Sequence, residues 1–187
     1  MPTVTLIGYR GTGKTTVAAG LARRLGCLWW DADIELERRV GTTIASLIRD
    51  HGEPHFRDEE AGVLGELLAT PEGVLATGGG VILRPDNRER LRERGGCVVW
   101  LTAPSPILRR RLAADPTTVS RRPGLTGLDP LAEIESILAA REPLYRACAD
   151  VVIDASVASP DEVVESILRA LAAPAGSARA TPPEVTD

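Results

Sequence analysis

The chain has 187 residues, of which 43% are hydrophobic and 26% are charged, and its formal net charge is −4. This hydrophobic content excludes a disordered chain, and the length predicts one domain that buries a substantial core. The acidic balance argues against a protein that binds nucleic acid through the phosphate backbone, and no apolar run reaches the ~18 residues of a membrane helix.

Short apolar segments alternate with segments of helical periodicity along most of the chain. Strands are predicted at residues 3–7, 27–30, 73–77, 97–101 and 151–153. Helices are predicted at residues 17–25, 33–40, 43–51, 54–69, 85–95, 105–114, 130–147 and 160–172. This alternation predicts an α/β fold in which a five-stranded parallel sheet carries helices on both faces. Within it, we expect Trp29 and Trp30 to lie in a strand and in the core.

The C-terminal end of the chain differs in composition from the rest. Residues 1–172 are expected to form a single domain, whereas residues 173–187 are rich in Ala, Pro, Ser and Thr and are expected to be disordered. The N-terminus lacks the basic region and the cleavage site of a signal peptide. Three cysteines without a paired spacing are typical of a reducing compartment. We therefore expect a cytoplasmic protein.

The segment after the first predicted strand, GYRGTGKT at residues 8–15, fits the phosphate-binding pattern G-x-x-x-x-G-K-S/T. In such a loop the backbone N–H groups surround the phosphates, Lys14 reaches the β- and γ-phosphates, and the Thr15 hydroxyl binds Mg²⁺. Lys14 is the single lysine among 22 basic residues, which indicates a role that suits a compact ammonium better than a guanidinium. A Ras-type switch is excluded, because its N-K-x-D motif needs a second lysine.

Two aspartates follow the second predicted strand. Asp31 is the candidate for holding Mg²⁺ through water, and Asp33 is the candidate for receiving a substrate hydroxyl. An aspartate at this place serves equally well as the N-cap of the next helix. The pattern alone leaves both interpretations open.

Two charged residues interrupt apolar helix faces. Glu60 lies on the face that begins at Phe56, and Arg141 lies on the apolar face of the helix predicted at 130–147. Buried charges need partners. Glu60 and Arg141 form either a structural ion pair or, together with Arg57, a cationic cradle for an anionic substrate that Glu60 orients.

Six sequence elements taken together resemble the shikimate kinase family, which are small P-loop kinases of the nucleoside-monophosphate-kinase type. In chain order, they are Gly11–Thr15, Asp31–Asp33, Phe56–Glu60, Gly78–Gly80, Arg122-Pro123 and Arg141–Tyr145. They occur in the family's order across residues 3–172. The resemblance implies a three-layer α/β/α fold and ATP-dependent phosphorylation of the 3-hydroxyl of shikimate, on the route to chorismate and the aromatic amino acids.

The same resemblance implies a role for each matching position, with Mg²⁺ as cofactor, ATP and shikimate as ligands, and a monomer as the active form. The residues assigned to ATP are Gly11, Thr12, Gly13, Lys14, Thr15, Thr16 and Arg122. Those assigned to shikimate are Asp33, Arg57, Gly78, Gly79, Gly80 and Arg141, with Glu60 orienting. Thr15 and Asp31 are assigned to the metal, and Asp33, Lys14 and Arg122 to catalysis.

The resemblance also places substrate-binding helices at about residues 33–69 and a lid over ATP at about residues 115–128. Arg122 is preferred to Arg121 as the lid arginine because it directly precedes the proline. Family members often carry an adenine-stacking arginine about seven residues earlier. Counting back reaches Asp115, and the nearest arginine is Arg111.

Two other functions remain open. Another small-molecule kinase of the same fold, such as a gluconate kinase, would also suit two inward arginines beside an acidic site, although the Arg141–Tyr145 element favours shikimate. A catalytically silent nucleotide-binding module would be expected to lack Lys14, Asp33 or the lid arginine. All three are present in the sequence.

Overall fold

The predicted alternation of strands and helices is present in the computed structural model, which describes residues 3–114, 132–156 and 159–173. The strands are β1 (Val4–Ile7), β2 (Leu28–Asp31), β3 (Gly73–Ala76), β4 (Cys97–Thr102) and β5 (Val151–Asp154). The helices are α1 (Lys14–Leu25), α2 (Ala32–Val40), α3 (Ile44–Leu68), α4 (Pro85–Arg94), α5 (Ser105–Ala114), α6 (Ala132–Cys148) and α7 (Pro160–Ala172). A short 3₁₀ helix spans Val81–Leu83.

The five strands form one parallel sheet in the order β2-β3-β1-β4-β5. Thr5 of β1 lies opposite Leu75 of β3 on one side and Val98 of β4 on the other. Because all strands point the same way, the loops that follow β2, β3 and β1 leave the sheet side by side at one edge, the one formed by the carboxyl ends of the strands. Ligands of open parallel sheets bind at that edge. The predicted fold is confirmed.

Alternate residues of the central strands face opposite layers of helices. Leu6 and Val74 pack in the cluster that contains α1 and α7, whereas Ile7 and Leu75 pack in the cluster that contains α2, α3, α4 and α6. All four side chains are completely buried, and burial of one such side chain stabilises the fold by about 1.5–3 kcal/mol. Because both faces are covered, the strands appear in the sequence as continuous apolar runs.

Strand β2 departs from this pattern. Trp29 is 37% exposed and Leu28 is 66% exposed, while Trp30 is partly buried against the core. The expectation of a core position is therefore wrong for Trp29, although its position in a strand is confirmed. The reason is that β2 forms the edge of the sheet and pairs with β3 alone.

The two helices predicted at 43–51 and 54–69 form the single element α3, which is kinked at its centre. Gly52 has a non-helical backbone with φ 85° and ψ 163°, and Pro54 follows it. Glycine adopts positive φ without strain, and proline cannot continue the hydrogen-bond ladder of a helix, so this pair of residues breaks the helix. The segment after the kink carries Phe56 and Glu60 towards the sheet, where both are buried.

The predicted lid at residues 115–128, with Arg121 and Arg122, lies outside the described residues, as do residues 174–187 of the predicted tail. The three cysteines are free thiols. Among the described helices, none combines the length and the apolar character that crossing a bilayer requires.

Candidate active site

The loop between β1 and α1 contains three glycines with positive φ: Gly8 at 142°, Gly11 at 81° and Gly13 at 88°. Position 8 must be a glycine, because a Cβ atom there would lie 2.3 Å from the carbonyl oxygen of Leu101. The buried hydroxyl of Thr12 donates to the carbonyl of Tyr9 at 2.8 Å and closes the loop on itself. The loop therefore forms a compact backbone ring at the N-terminus of α1, as phosphate binding requires.

The side chain of Lys14 folds back over this loop. Its Nζ donates to the carbonyls of Gly8 at 2.7 Å and Tyr9 at 2.9 Å, and the residue is only 8% exposed. Two carbonyls this close suit a compact ammonium, whereas a guanidinium has its donors spread in a wide plane. The lone lysine of the chain thus lies in the loop at residues 8–15, and its role towards the phosphates stays a prediction.

Asp31 uses its two carboxylate oxygens differently. Oδ2 accepts a hydrogen bond from the Thr15 hydroxyl at 2.6 Å, while Oδ1 accepts from the backbone N–H groups of Asp33 and Ile34 at 2.9 and 3.2 Å. The residue is therefore the N-cap of α2 and at the same time the neighbour of the phosphate loop. The Thr15 hydroxyl and the Asp31 carboxylate are hard oxygen donors of the kind that Mg²⁺ prefers, so this pair fits the metal. Thr16 is exposed on the same first turn of α1.

The turn at Gly78–Gly80 follows β3, which lies between β1 and β2. Thr77 ties this turn to β1, because both its N–H and its hydroxyl donate to the carbonyl of Leu6, at 3.1 and 3.0 Å. The glycine turn is thereby held between the phosphate loop and the pair Asp31 and Asp33.

Side chains from other elements approach the glycine turn more closely than a Cβ atom would allow. A Cβ on Gly78 would lie 2.7 Å from Oδ1 of Asp33 and 2.8 Å from Oε1 of Glu60, and one on Gly80 would lie 2.3 Å from Nη1 of Arg57. Glycine is required here for close approach. The turn gathers two carboxylates and one guanidinium around a bare stretch of backbone.

Arg57 is held by two carboxylates of its own helix. Nη1 donates to Oε2 of Glu60 at 2.8 Å, Nη2 donates to Glu53 at 2.9 Å, and the guanidinium lies 4.8 Å from the centroid of the Phe56 ring. Burial lowers the pKa of Arg57, but pairing with Glu60 and Glu53 outweighs it, so the pKa is raised overall. Glu60 is 3% exposed and fixes the direction of Arg57.

Arg141 and Tyr145 reach the same turn from α6. Nη1 of Arg141 donates to the carbonyl of Gly79 at 3.2 Å, and the Tyr145 hydroxyl donates to that same oxygen. Burial raises the pKa of Tyr145, so this hydroxyl remains a donor at neutral pH. Ile134 and Tyr145 are buried, which confirms the apolar face on which Arg141 lies. Of the two candidate partners, it is Arg57 that ion-pairs with Glu60.

Sequence reasoning missed Tyr9 as a side chain that joins these parts, and it named Arg111 only as the arginine nearest to the family's adenine-stacking position. Tyr9, which is 3% exposed, packs against α5 and α6, and its ring centroid lies 5.9 Å from the guanidinium carbon of Arg141. Arg111 donates to the carbonyl of Gly11 at 3.4 Å and to that of Ala155 at 2.7 Å. It thereby links the phosphate loop to the segment after β5. The only signal for Arg111 is its position before the predicted lid.

Comparison with known proteins gives consistent results. A family model described as shikimate kinase matches residues 10–172. A shikimate kinase of Oleidesulfovibrio alaskensis is 46% identical over 92% of this chain and 99% of its own length. A solved shikimate kinase of Acinetobacter baumannii in complex with shikimate is 37% identical, with a TM-score of 0.85 over 91% of this chain and 93% of the other. A gluconokinase of Sinorhizobium meliloti, at 19% identity and a TM-score of 0.56 over 91% of each chain, shares the fold alone.

Proposed function

Because the chain belongs to the shikimate kinase family, we propose that it transfers the γ-phosphoryl group of ATP to the 3-hydroxyl of shikimate, on the route to chorismate and the aromatic amino acids. The observation that carries this proposal is the position of the glycine turn Gly78–Gly80 directly beside the phosphate loop, with Asp33, Arg57 and Arg141 around it. A phosphate donor and an anionic acceptor bound in these two places would meet at one edge of the sheet.

On the donor side, the backbone of Gly11, Thr12 and Gly13 and the first turn of α1, which includes Thr16, bind the phosphates of ATP. Lys14 neutralises charge on the β- and γ-phosphates. Thr15 and Asp31 hold the Mg²⁺ ion, which when bound neutralises charge on the phosphates. Arg111 lies next to Gly11 and flanks the nucleotide.

On the acceptor side, Arg57 and Arg141 bind the carboxylate of shikimate. Arginine suits this role because its paired N–H groups match the two oxygens of a carboxylate. Glu60 keeps Arg57 in place, and the glycine backbone at residues 78–80 lets the ring approach closely.

Asp33 orients the 3-hydroxyl and accepts its proton as the new oxygen–phosphorus bond forms and ADP leaves. Most of the rate enhancement in such transfers comes from positioning and from neutralising charge on the moving phosphoryl group. Besides Lys14, we assign Arg122 to neutralising charge on the moving phosphoryl group. Arg122 belongs to the proposed lid at about residues 115–128, which excludes water when it closes.

We further propose that residues 1–172 act as one domain, as a monomer in the cytoplasm. Free thiols at all three cysteines support a reducing compartment. A molar mass near 20 kDa in solution supports the monomer, and a mass twice as large contradicts it.

The proposed reaction is tested by a coupled assay of ADP release with shikimate, with gluconate and without an acceptor. We expect release that depends on shikimate and stays at background in the other two reactions. Release with gluconate alone would favour the other small-molecule kinase, and absence of turnover despite ATP binding would favour a silent nucleotide-binding module. The inward arginines and the intact Lys14 and Asp33 support the kinase over the silent module.

A further inference from the structure

Arg10 differs from the other arginines around the site. Arg57, Arg111 and Arg141 each donate hydrogen bonds to a carboxylate or a carbonyl. Arg10, in contrast, forms no hydrogen bond or ion pair among the residues that the structure describes, and its Nε is buried from solvent. Buried guanidinium N–H groups nearly always have an acceptor. This donor has no acceptor among the described residues, and because Arg10 as a whole is only half-buried, its guanidinium can turn to meet a ligand.

The position of Arg10 is between the two halves of the site. It belongs to the phosphate loop, yet its backbone nitrogen would lie 3.2 Å from a Cβ on Gly79, so it directly abuts the glycine turn. Its guanidinium carbon lies 5.7 Å from the centroid of the Tyr9 ring, and that of Arg141 lies 5.9 Å from the same centroid. Two cations beside one buried ring repel each other, and an anion between them removes that repulsion.

We propose that Arg10 is a further acceptor-binding residue, which pairs with the carboxylate of the acceptor together with Arg141 and so selects anionic acceptors over neutral ones. This inference rests on the proposed function and extends it to one more residue. A carboxylate can accept hydrogen bonds from more than two donors, so three arginines do not exceed its capacity. The acceptor must therefore carry a negative charge on the group that binds to Arg141.

The test uses Arg10→Gln and Arg10→Lys, with Arg23→Gln at the exposed end of α1 as the matched control for loss of one charge. Steady-state rates are measured with shikimate and with its neutral methyl ester. For Arg10→Gln we expect the KM for shikimate to rise about tenfold, the loss expected for a charged hydrogen bond, with the KM for ATP unchanged. The kcat/KM for the methyl ester should equal that of the wild type. The KM for shikimate of Arg10→Lys should lie between those of the wild type and Arg10→Gln, and the KM of Arg23→Gln should equal that of the wild type.

An equal loss on shikimate and its ester overturns the proposal, as does an unchanged KM. A fall in kcat at constant KM assigns Arg10 to the moving phosphoryl group instead, which also overturns it. Isothermal titration of shikimate gives a readout that does not depend on turnover. If Arg10→Gln fails to fold, Arg10→Lys decides, because it loses the paired N–H groups and a wild-type KM then contradicts the inference. Absence of shikimate-dependent ADP release in the wild type would instead refute the proposed function.

Discussion

The phosphate loop, residues 8–15, and the acceptor cradle, formed by Arg57, Arg141 and the turn Gly78–Gly80, occupy neighbouring places at one end of the sheet, but they are built in different ways. The contacts that Lys14 makes within the loop are local, since it donates to Gly8, six residues away, although Arg111 also reaches Gly11 from α5. Contacts of the cradle are distant: Arg141 and Tyr145 donate to Gly79 across 62 and 66 residues. The loop thus depends on its own backbone geometry, whereas the cradle depends on how α3 and α6 pack on the sheet. Apart from Arg10, which belongs to the loop but is proposed to bind the acceptor, damage to one half should therefore leave ligand binding by the other largely intact.

The largest effect is expected for Lys14→Arg. The guanidinium does not fit between the carbonyls of Gly8 and Tyr9, so we expect kcat to fall about 10³-fold, at the upper end of the range for loss of one electrostatic group. Shikimate affinity and the melting temperature should stay near those of the wild type, measured by titration and thermal melts. Arg24→Lys, a swap at an exposed ion pair, is the control. Activity within a few-fold of wild type would show that charge alone suffices.

Asp33→Asn should lower kcat about 10²-fold at saturating Mg²⁺, since general-base assistance is worth 10²–10⁴-fold and less where the transition state is loose. Asp31→Asn should instead raise the Mg²⁺ concentration needed for half-maximal rate. Its fold should persist, because asparagine also caps helices well. Superimposable metal titrations for the two variants would contradict the separate roles.

Arg141→Ala tests the cradle alone. We expect shikimate to bind about 30-fold more weakly, which corresponds to about 2 kcal/mol for a partly buried charged contact, while ATP affinity is unchanged. Arg146→Ala, on the same helix but exposed and paired with Glu142, should bind both ligands as the wild type does. A large drop in melting temperature with unchanged shikimate affinity would make Arg141 structural and remove it from the site.

Gly80→Ala should raise the KM for shikimate about tenfold, because the new methyl group displaces Arg57, and small misplacements of binding groups are costly. Gly62→Ala is the matched control, since a Cβ there meets its nearest atom, on Arg39, only at 3.7 Å. A wild-type KM in Gly80→Ala would show that Arg57 moves aside without consequence for binding.

The smallest effect concerns Cys148 at the end of α6. Burial raises the pKa of this thiol from 9.0 to about 11. A group whose folded pKa is raised loses its stabilising contribution as pH rises above the unfolded pKa. Between pH 7 and 9.5 the wild type should therefore lose about 1 kcal/mol more unfolding free energy than Cys148→Ala does. Urea melts at the two pH values measure this difference. An equal loss of unfolding free energy in the wild type and in Cys148→Ala would show that the thiol is in contact with water.

Local features of the site were predictable from the sequence, and contacts across elements were less so. The loop at residues 8–15 and the break in α3 at Gly52 follow from glycine and proline chemistry over a few residues. The N-cap interpretation of Asp31 is confirmed through Oδ1, while Oδ2 accepts from Thr15 and is the oxygen to which the proposed metal role falls. A pattern that assigns one role per residue could not anticipate this.

The partners of the buried charges were harder to predict. Helical periodicity correctly placed Glu60 and Arg141 on buried faces, but it could not decide between Arg57 and Arg141 as the partner of Glu60. That choice depends on the position of α6 relative to α3, which no local pattern encodes. The exposure of Trp29 depends likewise on strand order, since the same apolar run is buried in a central strand and half exposed at an edge.

The position of Lys14 also has a practical consequence for covalent labelling. As the single lysine of the chain, it provides the only side-chain amine for acylating reagents, and at 8% exposure it reacts only when it leaves the carbonyls of Gly8 and Tyr9. The mass added by a lysine-selective reagent, apart from that on the α-amino group, therefore reports opening at one known position. In most proteins the surface lysines would mask that signal.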